Sequence, residues 1–242
     1  GDRMTLFLDA LGWLTDPVNW AGPNGIGARL VFHVVFSLAV VAGAVLIALP
    51  VGIAIGHTGR GREPAVVVSG ALRALPTLGL LTLLALWLGL VIGAPYLALM
   101  VLAVPSVLAG AYAGVGGVDR ATVDAARAMG MTELQIAGRL ELPLGLPTII
   151  GGIRSAVLQV IATATLAAYI GAGGLGTYLF RGLKTGDYTI MLGASILIIA
   201  LALVLDGMFA LVQRLVIPEG VRVRRGSASL RERPTRPRTA VG

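Results

Sequence analysis

Two histidines, twelve carboxylates and no cysteine are the groups from which a metal centre or an acid–base site would have to be built in this 242-residue chain. His33 and His57 lie far apart in sequence with no carboxylate beside either, so no zinc enzyme is indicated, and both are read as carrying no function. Without cysteine there is no disulfide framework and no thiolate metal site. No Ser/His/Asp set and no Gly-x-x-x-x-Gly-Lys phosphate loop occurs. Nothing is arranged to catalyse, and any ATP hydrolysis would belong to another chain. The groups that could act are polar ones set among apolar neighbours. Arg73, Arg154 and Asp206 fall in or near long apolar runs, where a charge is costly and faces the interior or pairs. Asp206 is a candidate partner for Arg73 or Arg154, with snorkelling to the interface as the alternative. Gln159 and Thr163 stand four apart on one helix face, with Thr165 beyond, and suit either a transport path or interhelical hydrogen bonds.

The elements that position these groups must live in lipid. The chain is 56% hydrophobic and 13% charged, with a mean hydropathy of +0.88, against about 25% charged residues in a soluble domain. A spanning helix needs about 20 apolar residues, and five are expected in an all-α membrane protein. They are Val34–Ile55, a second from near Pro64 that contains Arg73 and is kinked at Pro76, Tyr96–Gly116, Leu144–Ile170, and Tyr188–Ile217. Gly93-Ala94-Pro95 separates the second from the third. Small residues four apart, Gly52/Gly56, Gly89/Gly93 and Gly110/Gly114, let helix backbones approach. Basic residues set the direction: Arg60, Arg62, Arg120, Arg127, Arg139 and seven arginines from Arg222 to Arg238 fall on one side. Arg3, Arg29, Arg181 and Lys184 fall on the other. The positive-inside rule then puts the N-terminus outside and the C-terminus inside. Residues 1–27 form an extracytoplasmic segment with a short interfacial helix built on Leu6, Phe7, Leu11, Trp13 and Leu14. No cleavable signal is visible in it, and the first span serves as its own insertion signal. Residues 28–217 are the transmembrane domain. Residues 218–242 are a basic tail expected to be disordered, without the aromatics a nucleic-acid partner would call for.

The segment richest in information is DRATVDAARAMGMTELQIAGRLELPLGLP, Asp119–Pro147. It is too polar to span and favours helix over Ala121–Leu140, interrupted at Gly130, so helix, turn and helix along the membrane face are expected, closed by Leu142-Pro143. Its residues resemble the cytoplasmic pattern of ABC importer permeases: Glu-Ala-Ala, three residues, Gly, nine residues, Ile-x-Leu-Pro. Here the chain reads Asp124-Ala125-Ala126, three residues, Gly130, nine residues, Leu140-Glu141-Leu142-Pro143. The resemblance implies a type I ABC importer permease fold in the bacterial cytoplasmic membrane, with loop 119–143 as a coupling helix docked on an ATPase subunit. Asp124 and Arg127 would then make rim contacts, Ala125 and Ala126 close approaches, and Met129 and Met131 adaptable apolar ones.

A narrower resemblance rests on RALPTLGLL at Arg73–Leu81 and GGIRSAVLQVIATATLAAYIGAGGLG at Gly151–Gly176. Together these are similar to permeases of osmoprotectant importers for glycine betaine, choline, carnitine or proline betaine. Methionine-type importers share the GAGGLG-like ending and are the alternative within the class; a secondary transporter or channel is the alternative outside it. The resemblance implies as partners a second permease, in a homo- or heterodimer, two cytoplasmic ATPases that hold ATP and Mg, and an extracytoplasmic binding protein of the lipoprotein kind. This chain itself would bind no cofactor. Arg73, Pro76, Thr77, Gln159 and Thr163 are the candidates for the translocation path, and Gly171, Gly173, Gly174 and Gly176 for the face toward the binding protein. Aromatic cages recognise quaternary ammonium groups, but Trp87, Tyr112 and Tyr169 are scattered, so substrate choice is expected to rest mainly with the binding protein.

Overall fold

Four helices are long and apolar enough to cross a membrane among the described residues, or five spans if two further helices bent by 85° at a short break are counted as one. The structure is a computed structural model and describes residues 2–89 and 92–216. In order, the helices are α1 (Asp2–Thr15), α2 (Pro17–Trp20), α3 (Ile26–Thr58), α4 (Arg62–Ala74), α5 (Thr77–Leu88) and α6 (Gly93–Gly116). Then follow α7 (Arg120–Ala128), α8 (Glu133–Ile136), α9 (Leu142–Thr163), α10 (Gly176–Thr185) and α11 (Tyr188–Val216). A π-helical turn, Ala137–Glu141, fuses α8 to α9, and a 3₁₀ stretch, Ala164–Ile170, extends α9. The basic tail lies outside the described residues.

The core is α3, α6 and α9. Phe36, Val40 and Ala44 of α3, Leu99, Ala103 and Val107 of α6, and Ala156, Val160 and Ile161 of α9 are buried together. Glycine sets the spacing. A Cβ on Gly110 would lie 2.6 Å from Gly152 Cα, and one on Gly114 would lie 2.7 Å from the Gly145 carbonyl oxygen. Gly56 likewise meets Val115, and Gly52 meets Ala111, so two of the three small-residue pairs pack helices within the bundle. Of the third pair, Gly89 caps α5 with φ 60° and has nothing within 4 Å of a Cβ placed on it, and Gly93 is the first residue of α6.

Two expectations change. The second span is not a kinked helix but two helices, because Pro76 ends one and precedes the next, holding Leu75 extended at ψ 129°. Leu142-Pro143 does not close the loop: Pro143 sits in the first turn of α9, where its missing N–H is tolerated, and the π turn just ahead carries the chain into the bundle. The N-terminal helix expected before Asp16-Pro17 is α1, and it packs on the bundle. Trp13 meets the Tyr178 ring edge-on at 5.2 Å and occupies the gap left by Gly193 of α11.

Gly152→Val should therefore force α6 and α9 apart and cost about 1–3 kcal/mol. Thermal unfolding in detergent should show a clear drop in midpoint. Gly207→Ala, where no atom lies within 4 Å, should be neutral or slightly stabilising.

Candidate functional site

The polar segment between α6 and α9 is a rigid helical corner. Asp119 caps α7 by accepting from the Ala121 N–H at 3.3 Å. At the other end Gly130, with φ 87°, takes the left-handed position of a Schellman motif: its N–H donates to Arg127 O at 2.9 Å and that of Met131 to Ala126 O at 3.1 Å. Thr132 then opens α8 with a capping box, its hydroxyl accepting from Gln135 N–H while the Gln135 side chain accepts from Thr132 N–H. Val123, Ala126 and Ile136 are buried against one another, with Met131 and Leu140 packed on them. The corner thus has a small core of its own.

This core divides the sequence candidates. Asp124, Ala125, Met129 and Gly130 are exposed, Met129 by 77%. Leu134, which sequence reasoning missed, is exposed by 85% beside them. Ala126 and Met131 turn inward instead, so their part is to hold the corner together rather than to form its outer face. Leu142 is half-buried and Pro143 exposed at the root of α9. Arg127 bridges the two short helices: Nη1 donates to Asp124 at 3.0 Å, while Nε and Nη2 donate to the two oxygens of Glu133 at 2.7 and 3.0 Å. That forked contact raises the Arg127 pKa and, chiefly through the Arg127 hydrogen bond, lowers that of Glu133.

His57 is not idle, contrary to the sequence expectation. Its Nδ1 lies 2.6 Å from Glu141 and its Nε2 3.1 Å from Glu133. Glu141 is 2% exposed, and these partners are 84 residues from His57 or nearly so, a separation that no local pattern reveals. His33 has a structural role: buried in α3, its Nε2 bonds the Ile161 carbonyl of α9 at 3.0 Å.

Within the bundle, Arg154 pairs with Asp206 at 2.6 Å, one of the two pairings anticipated, joining α9 to α11. Arg73 is exposed on α4 and Pro76 exposed at the break, with Thr77 half-buried after it. Gln159 accepts from Ser106 at 3.1 Å and donates to Leu102 O at 3.2 Å, while Thr163 donates to Gln159 O at 2.8 Å. The two Gln159 bonds tie α9 to α6, while that of Thr163 stays within α9. At the opposite end, Gly171, Gly173 and Gly174 have φ of 85°, 98° and 76°. Of the four glycines Gly171 is exposed and Gly173 half-buried, while Gly174 and Gly176 are buried against His33 and the Thr165 backbone.

The arrangement is an α-helical membrane bundle with a helical corner, which has a core of its own, between its third and fourth spans. Residues 31–218 match the family described as "Binding-protein-dependent transport system inner membrane component", and the chain belongs to it. It is 32% identical over 190 residues to the choline transport system permease protein OpuBB of Bacillus subtilis, covering 78% of this chain and 88% of that one. It is 33% identical over 190 residues to the carnitine transport permease protein OpuCB of Listeria monocytogenes, covering 78% and 87%. Among solved structures, the MetNI methionine ABC transporter in an inward-facing conformation superposes with a TM-score of 0.69 at 21% identity, covering 80% of this chain and 96% of that one. The fold is that of type I ABC importer permeases, as the loop pattern implied.

Removing one member of the Arg154–Asp206 pair leaves the other charge facing an apolar environment. Arg154→Met and Asp206→Leu should each lower the unfolding midpoint in detergent, and the double variant should recover part of the loss. Strict additivity of the two losses would show that the pair is not coupled.

Proposed function

We propose that this chain is the membrane-spanning subunit of an ATP-driven importer for quaternary-ammonium osmoprotectants such as choline, carnitine or glycine betaine. The observation that carries the reading is the exposed face of Asp124, Ala125, Met129 and Leu134 on a corner fused to α9, in a chain whose relatives at 32% and 33% identity are choline and carnitine permeases. The methionine transporter shares the fold at 21% identity, which speaks to architecture and not to substrate.

On this reading the corner faces the cytoplasm. Arg60, Arg62, Arg120, Arg127 and Arg139 all lie at the corner's end of the bundle, while Arg29, Arg181 and Lys184 lie at the other, as the positive-inside rule requires. A separate ATPase pair holds ATP and Mg and docks on the corner. A second permease completes the pathway, and an extracytoplasmic binding protein delivers the solute. Closure of the ATPases pushes the corner, and with it α9, to alternate access.

Cells lacking other osmolyte importers but expressing the full system should take up radiolabelled choline or betaine under salt stress; uptake of methionine alone would overturn the substrate. Cysteines placed at Gly61 and Thr132 should react only once the cytoplasmic side is opened, and one at Gly186 from outside. Gly130→Val forces a β-branched residue to φ 87°, at a cost of about 1–3 kcal/mol. The ATPase should then fail to co-purify and transport should fall, while membrane insertion survives. Asp124→Ala should act more mildly, since it leaves the turn intact.

A further inference from the structure

One helix is held at both membrane surfaces by the segments that flank α9. α3 runs unbroken for 33 residues from Ile26 to Thr58, about 50 Å at ~1.5 Å per residue, enough to cross the bilayer and protrude. At the corner's end its last turn carries His57, pinned between Glu141 of the π turn and Glu133 of α8. Each ring nitrogen of His57 thus faces a carboxylate from a different segment. Glu133 is shared with Arg127, and Arg127 with Asp124. A continuous chain of polar contacts runs Asp124–Arg127–Glu133–His57–Glu141, from the exposed rim of the corner to the buried end of α3.

At the far end, α3 is embraced by the glycine turn that follows α9. A Cβ on Gly173 would lie 3.1 Å from Arg29 Nη1, and one on Gly174 would lie 2.9 Å from His33 Nδ1. The turn's three positive φ angles shape it to that helix face. The His33–Ile161 bond fixes the same end of α3 to α9. Because a packed helix moves as a body, displacement at His57 reaches Arg29 and His33.

We propose that α3 carries movement of the docking corner to the opposite membrane surface, with Glu141–His57–Glu133 as its attachment. His57 and Glu141 are therefore positioning residues for coupling. The inference rests on the reading of the corner as the ATPase docking surface, but not on the identity of the solute.

The test uses the complete transporter, with both permeases, ATPases and binding protein, reconstituted in vesicles. Uptake per ATP hydrolysed is measured beside co-purification of the ATPase. His57→Gln should leave the ATPase bound yet lower uptake per ATP about tenfold, the scale of one lost charged hydrogen bond. His57→Lys, which keeps N–H donors beside both carboxylates, should restore most of it. The double variant His57→Leu/Glu141→Leu removes both partners together and so leaves no buried carboxylate without its partner. It should assemble but stay uncoupled, and it answers the question even if His57→Gln does not fold. Wild-type uptake per ATP in either variant, or no rescue by Lys, overturns the inference. Loss of the ATPase from His57→Gln also overturns it, since the residue would then serve docking. Gly130→Val separates the two readings: if that variant keeps its ATPase and coupled hydrolysis, the docking reading itself fails.

Discussion

The contact on which the rest depends is the glycine-to-glycine approach of α6 and α9. Lipid supplies no hydrophobic drive to bring apolar helices together, so association relies on close van der Waals packing and interhelical hydrogen bonds. Gly110 against Gly152 and Gly114 against Gly145 bring two backbones to a distance that a single methyl would forbid. α3 then uses Gly52 and Gly56 to approach the other side of α6. With the three axes fixed, the ends of these helices are fixed too, and the corner between α6 and α9 receives its position from the bundle below it.

Polar groups inside the bundle follow the same economy. Gln159 finds Ser106 and the Leu102 carbonyl, His33 finds the Ile161 carbonyl, and Gln213 donates to the Pro147 carbonyl at 2.7 Å. Each bond joins neighbouring helices, and each removes the cost of leaving a polar group bare in an apolar setting. Arg154 and Asp206 do this with full charges, tying α11 to α9. Gln159 was open to a transport path or to interhelical hydrogen bonds when seen in sequence alone, and the bonds it makes are interhelical.

What could be read from sequence was whatever is local. Gly130 flanked by helix-forming residues announced the turn, and its φ of 87° meets that expectation. Apolar length placed the spans to within a few residues, with α3 longer than expected because Ile26 and Thr58 extend it past the apolar run. What was hidden depends on distance in the chain. The His57–Glu141 contact joins residues that have no pattern in common, and burial of Glu141 follows from where α3 ends. The 85° break at Pro76 was legible as a kink but not in size, since proline fixes where a helix stops and packing fixes where the next one points. α10, amphipathic and short, was not anticipated between the fourth and fifth spans.

The same distances divide the molecule into a part that positions itself and a part that does not. α4 has no buried residue and α5 has one, Leu81, while Leu83, Leu86 and Trp87 are exposed. α3, α6 and α9 by contrast share one core and are pinned at several heights. The corner is joined covalently to α6 and α9, and through His57 to α3. Its own core of Val123, Ala126 and Ile136 packs its two short helices on each other. The corner is thus continuous with the helices that share the core, while α4 and α5 leave most of their apolar surface outside it.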